Sequence, residues 1–263
     1  MDKTTSIVIP ARDEAEAIGP LVEEAGRVME SHAFEVIVVD DGSQDGTDAV
    51  LSALAARLDW LRPLRNPSSL GQSAAIRRGV RAARGQVIVT LDGDGQNPPD
   101  QIPVVLAPLR ADGAGEIGLV QGQRKARRDS LAKRMGSRIA NAIRQALLRD
   151  GVRDSGCGLK AFRRDAYLDL PWFDHVHRFM PAMMLREGWK VATVDVAHRR
   201  RQGGRSKYNN LQRALVGVSD LLGAAWLTRR ARALPRPPSG TAHAAPPDGQ
   251  HPATRGGEGT YGN

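Results

Sequence analysis

Cysteine occurs once in the 263 residues, at Cys157, so no intramolecular disulfide is possible and a reducing compartment is implied. Nor is there a long apolar run. The longest stretch, Ala214 to Leu227, is interrupted by Asp220 and is too short to span a bilayer. The first residues, Met1 to Thr5, lead straight into an apolar strand without the hydrophobic segment of a secretory leader, and the expectation is a cytoplasmic protein. No G-x-G-x-x-G follows that first strand, which argues against a dinucleotide site. Aromatic residues are missing from the basic run His198 to Lys207, where five of ten residues are Lys or Arg, and base stacking on single-stranded nucleic acid is disfavoured there.

What is present suits a globular enzyme. Apolar residues make up 41% of the chain, enough to bury a core, and a formal charge of +9 points to anionic partners such as phosphorylated substrates, anionic lipid or nucleic acid. Ser6 to Pro10, Phe34 to Val39, Gln86 to Leu91, Ile117 to Gly122 and Val191 to Val196 read as strands rich in β-branched residues. Helical spacing of apolar residues runs to about His32, from about Asp48 to Leu58, from Gln72 to Ala83 and from Leu131 to Leu148. Strand and helix in alternation imply an α/β, doubly wound and mainly parallel sheet with helices on both faces.

The stretch Thr90-Leu91-Asp92-Gly93-Asp94-Gly95-Gln96 closes the central strand, and ligands of open α/β sheets collect at that edge. Asp92 and Asp94, with Gln96, form a hard oxygen set suited to Mg²⁺ or Mn²⁺, metals that keep waters and bridge to phosphates. Acidic residues stand where phosphate-cradling glycines would be expected. Such a site reaches phosphates through a metal and turns a carboxylate to the base or ribose. Asp154, in the small-residue loop Arg153 to Lys160, is the carboxylate placed near the reaction centre, and Cys157 beside it reads as structural. Leu211, Leu215, Val218, Leu222 and Trp226 share one helical stripe, with Asp220 opposite and Arg229-Arg230 at the end. That pattern fits either packing on the core or a helix lying in a membrane interface.

Seven motifs in order carry a family resemblance: VIPARDE at Val8 to Glu14, VVDDGSQDGT at Val38 to Thr47, LDGDGQNPP at Leu91 to Pro99, GQR at Gly122 to Arg124, DSGCGLKAF at Asp154 to Phe162, HRF at His177 to Phe179, and RQGGRSK at Arg201 to Lys207. From about Ser6 to Arg230 the chain resembles family 2 glycosyltransferases with the GT-A (Rossmann-like) fold, most closely the dolichol-phosphate (polyprenyl-phosphate) mannosyltransferase-like branch. The resemblance implies a GT-A domain over 1–210; the apolar stripe gives an amphipathic helix over 211–233, with packing on the core and a membrane interface both open to it, and composition rich in Pro, Gly, Ala, His and Thr gives a disordered tail over 234–263.

It further implies that Pro10, Arg12, Glu14, Val39 and Asp41 hold the nucleoside of a sugar nucleotide. Asp92, Gly93 and Asp94 would lie on its diphosphate, with Asp92, Asp94 and Gln96 on the metal. Arg124, Arg201 and Lys207 match residues that contact donor or acceptor phosphates. Arg12 stands where many relatives carry a tyrosine that stacks on the base, a role a guanidinium also fills. The expected reaction is transfer of mannose from GDP-mannose to a polyprenyl phosphate by a cytoplasmic enzyme held peripherally at the inner face of the cell membrane, with no nucleic-acid partner. The alternative is a UDP-sugar donor such as UDP-glucose or UDP-N-acetylglucosamine, or a hydroxyl acceptor. A basic nucleic-acid-binding protein is the remote third reading, and it leaves the acidic sheet edge without a purpose.

Overall fold

The computed structural model describes residues 4–124, 142–199 and 210–230. In chain order the elements are β1 (Thr5–Ala11), α1 (Ala15–Met29), β2 (Phe34–Asp40), α2 (Thr47–Ala55), β3 (Leu61–Arg65), α3 (Gln72–Ala82) and β4 (Val87–Thr90). After them come α4 (Ile102–Ala111), β5 (Ile117–Arg124), the helical residues 142–148 (α5), β6 (Lys160–Arg163), α6 (Arg164–Leu168), α7 (Met180–Arg186), β7 (Lys190–Val196) and α8 (Asn210–Arg229).

One sheet holds all seven strands in the order β3-β2-β1-β4-β6-β5-β7. The pairs β1·β2, β1·β4, β2·β3 and β5·β7 are parallel, as strand–helix alternation implies. Strand β6 departs from that expectation, running antiparallel between β4 and β5. It is short, begins with Lys160 and ends with Arg163, so it lacks the apolar run that marks a buried strand in sequence. Strand β3 also escapes sequence detection, because Pro63 sits in it. At the sheet edge a proline leaves no ladder hydrogen bond unmade.

Side-chain alternation along the strands divides the interior into two cores. Ile7 and Ile9 of β1 face one side, where Ile18 and Leu21 of α1, Leu51 of α2 and Val105 of α4 cover them. Val8 faces the other, with Ile76 and Val80 of α3, Tyr167 of α6, Met183 of α7 and Ala224 of α8. Helix α3 comes close to β1 because residue 79 is glycine: a Cβ there would stand 2.4 Å from Val8 Cγ1.

Because β1, β2, β4 and β5 all point the same way, the loops after Ala11, Asp40, Thr90 and Arg124 open at one edge. The reversed β6 brings its first residue there too, since Lys160 lies opposite Thr90. Helix α8 spans the expected amphipathic segment. Its first turns carry Leu211 and Leu215, whose side chains lie outside the described residues, as do residues 131–141 of the expected Leu131–Leu148 helix and the tail 234–263.

Candidate active site

The acid pair sits where β4 ends. Asp92 Oδ1 accepts from Gln72 Nε2 at 2.9 Å and Oδ2 from Asn97 Nδ2 at 3.2 Å, so α3 and the following turn fix the carboxylate from both sides. The loop before β6 presses on it as well. A Cβ at Gly158 would come within 2.1 Å of Asp92 Oδ2, and the Gly158 carbonyl accepts from Thr90 Oγ1 at 2.7 Å. Only glycine allows that approach. Burial, reinforced by the nearby Asp94 charge, raises the Asp92 carboxyl above the ordinary carboxylate range, with Lys160 and Arg124 opposing. Asp94 Oδ1 accepts from the Gln96 backbone at 3.1 Å. No described residue hydrogen-bonds the Gln96 side chain, but its carbonyl accepts from Arg199 N at 3.0 Å.

Two like-charged carboxylates brought together at a protein edge fit a divalent cation, and each oxygen has a lone pair to spare. Among the described residues no cluster of three or more His, Cys, Asp or Glu could hold a metal by itself. The donor set therefore suits Mg²⁺ or Mn²⁺ that completes its shell with water and substrate phosphate.

Positive charge surrounds the pair. Arg124, at the end of β5, grips Asp154 through Nε to Oδ2 at 2.6 Å and Nη2 to Oδ1 at 2.8 Å. Burial works against the Arg124 charge, yet the Asp154 carboxylate outweighs it and raises the guanidinium pKa. Buried Lys160 donates from Nζ to the Cys157 carbonyl. Burial lowers its pKa while Cys157, Asp92 and Asp154 work to keep the ammonium charged. Burial raises the Cys157 thiol, which packs in the first core, in line with a structural cysteine.

At the other end of the edge the loops after β1 and β2 are fastened together. Asp13 N donates to Ser43 Oγ at 2.8 Å, Gln44 N to Asp13 Oδ1 at 2.8 Å, and Glu14 N to Thr47 Oγ1 at 3.0 Å. Asp41 receives four donors: Asn66 Nδ2 and Leu70 N on Oδ1, Ser69 Oγ and Gly71 N on Oδ2, at 2.7 to 2.9 Å. Those bonds outweigh the burial that opposes them and lower its pKa. Arg12 Nη1 reaches the same 66–71 loop at Ser69 Oγ, 2.9 Å away. The Val39 side chain is fully buried in the second core, leaving only its backbone for a ligand, whereas Pro10 is half-buried at the end of β1 and Gly93 follows Asp92. Arg201 and Lys207 lie outside the described residues.

Several members of the site carry no signal in sequence. Gln72 and Asn97 belong to it only because they hold Asp92, and Lys160 only because β6 is reversed. Arg199, one of a basic run in sequence, donates from Nε to the Gly95 carbonyl at 2.5 Å and pairs with Glu24 of α1 at 2.9 Å, tying the acid loop to a helix. His177 of the HRF motif shares a hydrogen bond between Nδ1 and Ser73 Oγ, 2.6 Å apart, at the start of α3.

Burial, with Lys160, Arg178 and His175 adding to it, drives the His177 pKa well below its ordinary 6.5. Below that value the unfolded chain takes a proton that the folded chain refuses, so stability falls as pH drops from neutrality. In His177→Gln that loss should shrink, which urea unfolding of both proteins at pH 7 and at mildly acidic pH will measure. An equal loss in both would remove His177 as its source.

A doubly wound mixed sheet with an acid pair at its carboxyl edge, ringed by Arg124, Lys160 and Arg199, has the architecture of a GT-A glycosyltransferase working on a nucleotide sugar. The profile of Glycosyl transferase family 2 matches residues 6–170, and the chain belongs to that family. It is 34% identical over 230 residues to a dodecaprenyl-phosphate galacturonate synthase of Rhizobium johnstonii, covering 85% of this chain and 67% of the relative. An undecaprenyl-phosphate 4-deoxy-4-formamido-L-arabinose transferase of Yersinia pestis is 33% identical over 223 residues, 84% of this chain and 67% of its own. Among solved structures, glucosyl-3-phosphoglycerate synthase of Mycobacterium tuberculosis, in complex with Mn²⁺, UDP-glucose and phosphoglyceric acid, superposes with a TM-score of 0.66 at 20% identity, covering 85% of this chain and 80% of that one. Mannosyl-3-phosphoglycerate synthase of Rubrobacter xylanophilus gives 0.65 at 17% identity, over 89% and 78%. These two likenesses concern the fold.

Proposed function

We propose that this glycosyltransferase moves a sugar from a UDP-sugar to a polyprenyl phosphate at a membrane surface. The observation that carries the acceptor is the state of Asp154. Both of its oxygens are held by Arg124, so it is poorly placed to take a proton from a hydroxyl. A phosphate acceptor is already anionic near neutral pH and needs only positive charge to align it. The prenyl-phosphate acceptors in the names of the relatives from Rhizobium johnstonii and Yersinia pestis support the same choice. Neither name carries mannose, and this moves the preferred donor from GDP-mannose to the alternative of a UDP-sugar.

In the proposed reaction an acceptor phosphate oxygen attacks the anomeric carbon, and the bond from that carbon to the donor diphosphate breaks with its electron pair on the leaving nucleoside diphosphate. Mg²⁺ or Mn²⁺ bound by Asp92, Asp94 and Gln96 would supply charge neutralisation on that leaving group. Gln72, Asn97 and Gly158 keep Asp92 in place, and Asp41 holds the 66–71 loop to which Arg12, in the loop after β1, is bonded and beside which it would face the nucleoside. Arg124, with Arg201 and Lys207 by resemblance, would hold phosphates, and Lys160 balances the acid pair from beneath. Asp154 orients Arg124.

Helix α8 supports the membrane part of the reading. No described helix is long and apolar enough to cross a bilayer, and the outward side of α8 is the part that would meet a membrane surface. One side of α8 docks on the catalytic domain through Ala224, Ala225, an Asp220–His175 contact of 2.9 Å and an Arg186 Nε bond to the Leu227 carbonyl at 3.2 Å. The other side leaves Val218, Leu222 and Trp226 57%, 59% and 59% exposed, and the Arg230 guanidinium stands over the Trp226 ring. An apolar stripe ending in arginines suits an anionic interface.

The test is turnover of UDP-glucose, UDP-galacturonate, UDP-N-acetylglucosamine and GDP-mannose on detergent-dispersed polyprenyl phosphate, with and without Mn²⁺. Metal-dependent glycolipid from a UDP-sugar is the expected result. Product from GDP-mannose alone would restore the mannosyl donor, and product only on an alcohol or saccharide would overturn the phosphate acceptor.

A further inference from the structure

The exposed side of α3 is left without a role by the reaction. Ser73, Ala75, Ile76, Gly79 and Val80 face the second core, so Arg77, Arg78 and Arg81 turn outward, and no acidic residue accompanies them on the helix. Together with Ala74 and Trp172 they line a cavity of about 350 Å³. Arg78 is engaged, donating to the Arg65 carbonyl at 2.6 Å and to Asn66 Oδ1. Arg77 stacks over the half-exposed Trp172 ring at 5.0 Å, and the Arg81 side chain has no hydrogen bond or ion pair among the described residues. The Tyr167 hydroxyl, in the second core and outside the cavity lining, is buried with no hydrogen-bond partner among the described residues. Its proton is held tightly by burial, and Arg77 and Arg81 are the charges that oppose this. A cavity lined by the guanidiniums of Arg77 and Arg81 beside an indole fits a phosphate monoanion or diester.

We infer that the Arg77–Arg81–Trp172 cavity seats the headgroups of anionic phospholipids and forms, with α8, a two-point membrane contact. The inference rests on the membrane reading above and adds a second site to it. Its basis is placement. Helices α3 and α8 both cover the second core, so their outward residues look away from the same face of the sheet. Val218, Leu222 and Trp226 of α8, Arg77 and Arg81 of α3, and Trp172 of the segment after α6 therefore belong to one outer layer, apolar over α8 and cationic over α3. An indole flanked by arginines matches the boundary between acyl chains and headgroups. None of these residues touches the acid pair, which makes membrane binding separable from transfer.

The experiment uses the full chain in co-sedimentation with phosphatidylcholine vesicles, with and without phosphatidylglycerol, at low salt. Arg77→Gln/Arg81→Gln should weaken binding to the phosphatidylglycerol vesicles about 30-fold, two charges' share of the surface attraction, and leave binding to pure phosphatidylcholine unchanged. Its melting temperature and its transfer to a detergent-dispersed acceptor should match the parent. Leu222→Glu should weaken binding to both vesicle types. If the double variant binds phosphatidylglycerol vesicles like the parent while Leu222→Glu does not, α8 acts alone and the headgroup site is overturned, with the membrane reading intact. Calorimetric binding of soluble glycerol 3-phosphate as tight as vesicle binding would make the cavity a free-phosphate site and overturn it too. A parent that transfers sugar but sediments with neither vesicle would remove the membrane reading and this site together.

Discussion

Asp94→Asn is expected to lower turnover about 100- to 1,000-fold, the scale seen when one group that stabilises developing negative charge is removed. Its fold should survive. Asp94 Oδ1 accepts a single described bond, from Gln96 N, and an asparagine oxygen keeps it. What is lost is the second of two adjacent negative charges, and with it most of the attraction for a divalent cation and the diphosphate it bridges. Two measurements separate this from a general loss of structure. The variant should melt within a few degrees of the parent, and the parent alone should gain melting temperature from Mn²⁺ with a nucleoside diphosphate, because a ligand stabilises only the state that binds it. A variant that still turned over at a tenth of the parental rate would remove Asp94 from the metal site.

Arg124→Ala is the second large change, and it acts on stability as well as turnover. Arg124 and Asp154 are 12% and 20% exposed, and their paired bonds satisfy both carboxylate oxygens. Removing the guanidinium takes two charge-assisted hydrogen bonds from a mostly buried carboxylate, expected to cost about 3 kcal/mol. Turnover should fall about 100-fold or more through loss of a positive charge beside the proposed diphosphate site. Arg124→Lys restores charge without the planar fork, so it should recover part of the turnover and little of the stability. Asp154→Asn distinguishes the acceptors. With a polyprenyl phosphate it should keep turnover within about tenfold of the parent, since no proton has to be removed. If Asp154→Asn folded normally and were inactive on the lipid phosphate, Asp154 would be the base and the hydroxyl-acceptor alternative would take its place.

The central strands were legible because they obey one rule throughout: β-branched residues buried on both faces of a parallel strand, followed at once by a polar turn. The run QVIVTL before Asp92 and FEVIVV before Asp40 are of this kind, and both acidic loops open where that rule puts them. The elements that escaped do not obey it. β3 carries Pro63 and only one fully buried residue, and β6 is four residues bounded by charge. Helix α4 contains prolines at 103 and 108, which break the usual helical signal. The α8 stripe was readable in pattern, but two explanations fitted it equally. Only the docked Ala224 and Ala225 show which side faces the core and leave Val218, Leu222 and Trp226 outward.

By itself the sequence determined the α/β alternation, the acid pair at Asp92 and Asp94, and the ordered motifs that mark the family, because each of these is a local pattern of residue type and spacing. The tertiary structure decided the surroundings of that pair. Lys160 meets Asp92 because a strand reverses, Arg199 ties the acid loop to α1 across 175 residues of chain, and Gln72, Asn97 and Gly158 converge on one carboxylate from three separate segments. The physical reason is range. Strand and turn preferences act between neighbours in sequence, whereas burial and electrostatic balance are set by whichever segments the sheet order brings together.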